Sequence, residues 1–130
     1  MAPTMASRKV LVVDDDASVR KGLQRLIRAA GYDVETFDGG AAYLARAAQE
    51  PPACLVLDIR MPGMSGFELM QAVAGTTRAL PIVFISGHGD EEMRAQALGA
   101  GAVEVLFKPL DERALLAAID KALERSTAGA

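Results

Sequence analysis

Along this chain, short unbroken apolar runs alternate with stretches whose apolar residues recur every three or four positions. "KVLVVD" (9–14), "ACLVLD" (53–58) and "LPIVFIS" (80–86) are of the first kind. Strands buried on both faces read this way. "VEVLF" (103–107) is a further strand. "YDVETF" (32–37) alternates apolar with polar residues, as a less fully covered strand does. Over 17–30, Val19, Leu23, Leu26, Ile27 and Ala30 fall at helical spacing, and Gly31 supplies the stop. The alanine-rich stretch 39–50 predicts a second helix, ended by Pro51 and Pro52. A short helix follows over 67–75, a fourth over 91–102, and a fifth over 111–124 with Leu115, Leu116, Ile119, Ala122 and Leu123 on one stripe. Proline and glycine mark 59–66 as a loop, and 87–90 ("GHGD") is another. "RSTAGA" (125–130) reads as a small-residue tail.

Five strand–helix pairs with near-continuous apolar strands predict an α/β domain. Its parallel sheet is covered by helices on both faces. A length of 130 residues fits one such domain. Hydrophobic content of 51% with 24% charged residues is a soluble composition. A net charge of −3 argues against an electrostatic grip on nucleic acid. The single cysteine, Cys54, sits inside an apolar run and reads as core. No apolar run approaches membrane-spanning length, and "MAPTMASRK" lacks the apolar centre of a secretory signal, so the expected compartment is the cytoplasm.

The chemistry gathers at the strand ends. In an open parallel α/β sheet, ligands collect outside the carboxyl ends of the strands. Here those ends carry Asp14, Asp15 and Asp16, then Asp58, Ser86 and Lys108. Each alone is explained as a cap, a turn residue or a solvated lysine. Together at one edge they describe a site. Adjacent carboxylates repel and resist burial unless a cation offsets them. Oxygen ligands without histidine or thiol suit Mg2+, with Mn2+ able to substitute. A lysine and a hydroxyl beside such an ion suit a phosphate, and the implied chemistry is phosphoryl transfer to a carboxylate.

The motifs "VLVVDDDASVR", "LVLDIRMPGMSGFEL", "PIVFISGHGD" and "GAGAVEVLFKPL", in this order and spacing, resemble the receiver domain of two-component response regulators. The resemblance covers about residues 8–125, with 1–7 a leader and 126–130 a tail or linker start. "SGHGD" followed by "GAGAVEVLFKPL" is most similar to the FixJ-type subgroup, whose receiver commonly precedes a helix-turn-helix domain. The resemblance implies a flavodoxin-like five-stranded sheet in order 2-1-3-4-5. Asp58 would accept the phosphoryl group from a phosphohistidine of a sensor histidine kinase or phosphotransfer protein. Asp14 and Asp15 would form the acidic pair for Mg2+, Asp15 the closer ligand, with Asp58 and the backbone carbonyl of Arg60 completing the protein's share. Ser86 and Lys108 would hold the phosphoryl oxygens, and Lys108–Pro109 would be a cis peptide. Asp16 matches no ligand position and reads as a cap.

Such a chain modifies itself and is not a conventional turnover enzyme. It would act alone or as the receiver fragment of a DNA-binding regulator, and it would bind neither nucleic acid nor membrane directly. The face made by the fourth helix, fifth strand and fifth helix would carry the output. Here the family's usual aromatic three residues before the lysine is Val105, Phe107 lies two residues on with the same strand parity, and Leu110 replaces a common phenylalanine. Those departures imply only a weak phosphorylation-dependent homodimer. His88, the sole histidine, reads as a loop residue tuning water access rather than a phosphocarrier, and Met61, Met64 and Met70 as loop and core packing. The rival from another class is a magnesium-dependent phosphohydrolase of the haloacid dehalogenase type, with Asp14 and Asp16 as its Asp-x-Asp pair.

Overall fold

The structure, a computed structural model, describes residues 9–46, 54–74, 80–87 and 91–128. The leader, the Pro51–Pro52 turn and His88 lie outside these residues. Strands and helices alternate as the pattern predicts: β1 (Lys9–Val13), α1 (Ala17–Ala29), β2 (Asp33–Phe37), α2 (Gly40–Arg46), β3 (Cys54–Asp58), α3 (Gly66–Ala74), β4 (Ile82–Ser86), α4 (Glu91–Gly99), β5 (Glu104–Phe107) and α5 (Glu112–Ala128). The strands form one parallel sheet in order β2-β1-β3-β4-β5.

The continuous apolar runs have a direct cause. Each central strand is buried on both faces, and its side chains alternate between two cores. On one face Val10, Val12, Cys54, Val56, Val83 and Ile85 pack with Leu23 and Ile27 of α1 and Leu115 and Ile119 of α5. On the other, Leu11, Val13, Leu55, Leu57, Ile82 and Phe84 pack with Tyr43 of α2, Leu69 and Val73 of α3, and Ala97 of α4. Each fully buried Leu, Ile or Phe contributes about 1.5–3 kcal/mol of transfer free energy. Cys54 is fully buried, and burial pushes its thiol up to about 12, so it behaves as an apolar core residue. Met61, Met64 and Met70 pack, partly buried, against the second core.

Two helix ends share one device. Gly31 has φ +98°, with Gly31 N–H donating to the Arg28 carbonyl and Tyr32 N–H to that of Ile27. Gly101, at φ +107°, repeats the pattern through Leu98 and Ala97. This left-handed closure needs glycine. It ends α4 at Gly99, three residues before the end of the predicted stretch at 102. The last helix differs the other way. It continues to Ala128, beyond the expected end at 124, so residues 125–128 are helix rather than tail. Nothing from Arg125 to Ala128 breaks a helix; the next glycine is Gly129. The helix α3 opens with a capping box, in which Ser65 N–H donates to Glu68 Oε1 (2.9 Å) and Glu68 N–H to Ser65 Oγ (3.2 Å).

Candidate functional site

Asp14 follows β1, Asp58 ends β3, Ser86 ends β4 and Lys108 follows β5. These four strands are consecutive across the sheet, so their carboxyl ends lie side by side. The chain leaves β1 for β2 on one side, and β3 lies on the other, which opens the crevice where such sheets bind ligands. Register aligns the ends: Val13 pairs with Leu57, Asp58 with Ile85 and Ser86 with Phe107.

Burial grades the acidic run sharply. Asp14 is fully buried, whereas Asp15 and Asp16 are exposed. The Asp14 carboxylate has partners on both oxygens: Asp16 N–H donates to Oδ1 (2.8 Å), and the Lys108 ammonium donates to Oδ2 (2.9 Å). Asp16 turns away to cap α1, accepting from the N–H groups of Ser18 (2.8 Å) and Val19 (3.4 Å). Its reading as a cap therefore holds. Carboxylate oxygens of Asp14, Asp15 and Asp58 lie within 4.8 Å of one another.

Asp58 is buried among these charges. Its Oδ2 lies 3.6 Å from the Lys108 ammonium, and Arg60 N–H donates to Oδ1 at 3.4 Å. Burial and the neighbouring Asp14 carboxylate push the Asp58 carboxyl up from 3.8 to about 6, with Lys108 and the Arg60 N–H pulling the other way. For Lys108 burial works downward, but the hydrogen bond and charge of Asp14 with the charge of Asp58 outweigh it and hold the ammonium above its ordinary range. Ser86 is fully buried, and its carbonyl accepts from Lys108 N–H at 2.8 Å, which pins the lysine backbone to β4. The Lys108–Pro109 peptide is cis, as expected.

The loop after Asp58 returns tightly. Gly66 N–H donates to the Ile59 carbonyl at 2.8 Å, and a Cβ on Gly66 would stand 2.5 Å from the Asp58 carbonyl oxygen. Only glycine lets α3 start so close to β3. Sequence patterning saw Gly66 as a loop residue and missed this approach. It also missed Arg20, whose Nη1 donates to the Asp14 carbonyl at 2.8 Å. Its one signal was a basic residue in the first turn after the acidic run.

The donor set fits a hard divalent cation. It offers oxygens only, with Asp15 exposed and free of the lysine contact that engages Asp14. Three carboxyl groups face one ammonium here, an acidic excess that a divalent ion would offset.

Comparison with known proteins agrees with this geometry. The family model described as "Response regulator receiver domain" matches residues 10–120, and the chain belongs to that family. Among its relatives, response regulator protein TmoT of Ectopseudomonas mendocina is 42% identical over 115 residues, 88% of this chain and 52% of TmoT. Transcriptional regulatory protein FixJ of Bradyrhizobium diazoefficiens is 36% identical over 117 residues, 90% of this chain and 57% of FixJ. The solved structure of response regulator StyR superposes with a TM-score of 0.84 at 50% identity, covering 94% of this chain and 62% of that one. The chain thus spans about half the length of the curated relatives it matches. The hydrolase rival finds no support, and the second aspartate of its Asp-x-Asp pair, Asp16, is engaged in a helix cap. Among the described residues no helix is long and apolar enough to cross a membrane.

Proposed function

We propose that this receiver is a cytoplasmic protein phosphorylated on Asp58 by the phosphohistidine of a sensor histidine kinase or phosphotransfer protein, in a Mg2+-dependent reaction. The observation that carries the proposal is the placement of Lys108. Its ammonium is shared between Asp14 (2.9 Å) and Asp58 (3.6 Å), with Asp15 exposed beside them. A carboxylate oxygen of Asp58 attacks phosphorus, the P–N bond breaks, and the imidazole leaves with the electron pair. Water later cleaves the acyl phosphate.

Asp58 suits the nucleophile's part because a carboxyl with a pKa of about 6 is mostly ionised at neutral pH. Arg60 N–H keeps its carboxylate oriented. Lys108 needs only to loosen from Asp14 to meet the incoming phosphoryl oxygens, and Ser86, one strand over, supplies a hydroxyl to them. Asp14, Asp15, Asp58 and the Arg60 carbonyl would hold Mg2+, which when bound neutralises the cluster and the transferring group. Asp15 is the freest of these ligands.

The assignment makes the chain a self-modifying switch rather than a turnover enzyme. Residues 8–125 form the working unit, and the α4, β5 and α5 face passes the signal on. Relatives named as transcriptional regulators support an output on gene expression through a DNA-binding domain or partner. Incubation with Mg2+ and acetyl phosphate should introduce about one acid-stable, base-labile phosphoryl group, and Asp58→Asn should abolish it. Equal labelling of that variant would overturn the assignment. Multiple turnover of a generic phosphoester would restore the hydrolase.

A further inference from the structure

The carbonyl of Asp14 marks the point where the chain leaves the sheet, and a side chain holds it there. Arg20 Nη1 donates to it at 2.8 Å. Arg20 sits half-buried in the first turn of α1, where its own N–H donates to the Asp16 carbonyl at 3.0 Å. One residue therefore ties the start of the helix to the peptide that joins Asp14 to Asp15. Asp14 is fixed from other directions too, through its N–H to the Phe37 carbonyl (3.1 Å) and through Asp16 and Lys108 on its carboxylate.

Asp15 is different. Its side chain is exposed, and among the described residues no hydrogen bond holds its carboxylate. Yet it reaches within 4.8 Å of the Asp14 and Asp58 oxygens. Its aim is set by the backbone it hangs from, and Arg20 holds that backbone.

We infer that Arg20 is a positioning residue for the divalent cation, acting through the Asp14–Asp15 peptide to direct the Asp15 carboxylate at the ion. The inference rests on the Mg2+ reading above. Arg20 is no ligand, since a guanidinium has no acceptor to offer. Its charge by itself would repel the ion, so the two roles available to it predict opposite outcomes. A positioning role makes its loss weaken Mg2+ binding; a bare counter-charge to the carboxylates makes its loss strengthen it.

The test is calorimetric titration of Mg2+ into the wild type, Arg20→Met and Arg20→Lys. Methionine keeps an apolar stem and removes the donor; lysine keeps a donor and the charge. Loss of an outer partner of metal ligands should raise the Kd about tenfold in Arg20→Met, and Arg20→Lys should recover most of it. In metal-free protein, amide exchange at Asp15 and Asp16 should quicken in Arg20→Met while β3 and β4 stay protected. Unchanged or tighter Mg2+ binding by Arg20→Met overturns the inference and leaves the metal site standing. Absence of Mg2+ binding by the wild type overturns both.

Discussion

Asp58→Asn should make the metal-free protein more stable at neutral pH. The asparagine keeps the shape of the side chain and removes its charge from a buried site already holding Asp14. The folded carboxyl sits at about 6 against an ordinary 3.8, so the folded state binds its proton more tightly than the unfolded chain does. The ionised form therefore costs the fold about two pKa units, or about 3 kcal/mol. That cost is fully present above pH 6, falls to about half near pH 5, and disappears below the unfolded pKa. The variant's advantage must follow the same curve, large at pH 7.5 and absent below pH 4.

Urea unfolding of both proteins in chelator, at pH 7.5 and pH 5, measures the gap. Saturating Mg2+ should close it, because an ion bound only to the folded wild type adds about 2.7 kcal/mol at a hundred times its Kd. The variant, with one carboxylate fewer, gains less. Equal stabilities at pH 7.5 without metal would refute the reasoning. So would a gap that grows as the pH falls, since the sign of the linkage would then be reversed.

Two further outcomes follow from the same geometry. Asp15→Ala should weaken Mg2+ binding more than Asp16→Ala, whereas Asp16→Ala should cost about 1 kcal/mol of stability through the lost helix cap; calorimetric titration and urea melts separate the two effects, and the reverse order would move the metal onto Asp16. A beryllium fluoride mimic of the phosphoryl group should favour dimers only weakly in sedimentation, and Val105→Phe should alter that response while labelling at Asp58 persists; a tight dimer formed only with the mimic would show the existing side chains transmit the signal fully.

Most of the architecture was legible because burial on both faces leaves an unmistakable mark. The runs at 9–14, 53–58 and 80–86 became β1, β3 and β4; β1 ends at Val13, one residue early, and β4 starts at Ile82, two residues late. The later start of β4 arises because the turn before it, Leu80 and Pro81, is still apolar. The glycine at 31 was readable as a stop, but helix closure at Gly99 was hidden inside "ALGAGA", where only the positive φ of Gly101 distinguishes one glycine from the other. At the site, the residue types converging on the sheet edge were legible, and so was the cap role of Asp16. Nothing in "DDD" says that the first is buried and the second exposed. That depends on where β1 ends and how α1 begins. The reach of Arg20 back to Asp14 and the contact of Gly66 with the Asp58 backbone are tertiary approaches that no periodicity encodes.

On the proposed mechanism, coupling of this site to the α4 face would turn on how little holds α4 down. Ala97 is its one fully buried side chain among the described residues, Met93 is partly buried, and Leu98 faces solvent. An ion pair from Arg94 to Glu104 of β5 (3.2 Å) is partly exposed and contributes about 0–1 kcal/mol. Displacing the helix is therefore cheap. A switch, however, needs a difference between two arrangements, and near-complete conversion takes about 5.5 kcal/mol of it. Val105, fully buried against the same core as Phe84 and Ala97, has too small a side chain to repack with much gain. Phe107 is larger, packs on that same core, and lies in register with Ser86. On the proposed mechanism, movement of Ser86 toward a phosphoryl group would reach Phe107 first, so whatever conformational difference this receiver achieves has to come chiefly from that ring at the end of β5 rather than from Val105 beneath the helix.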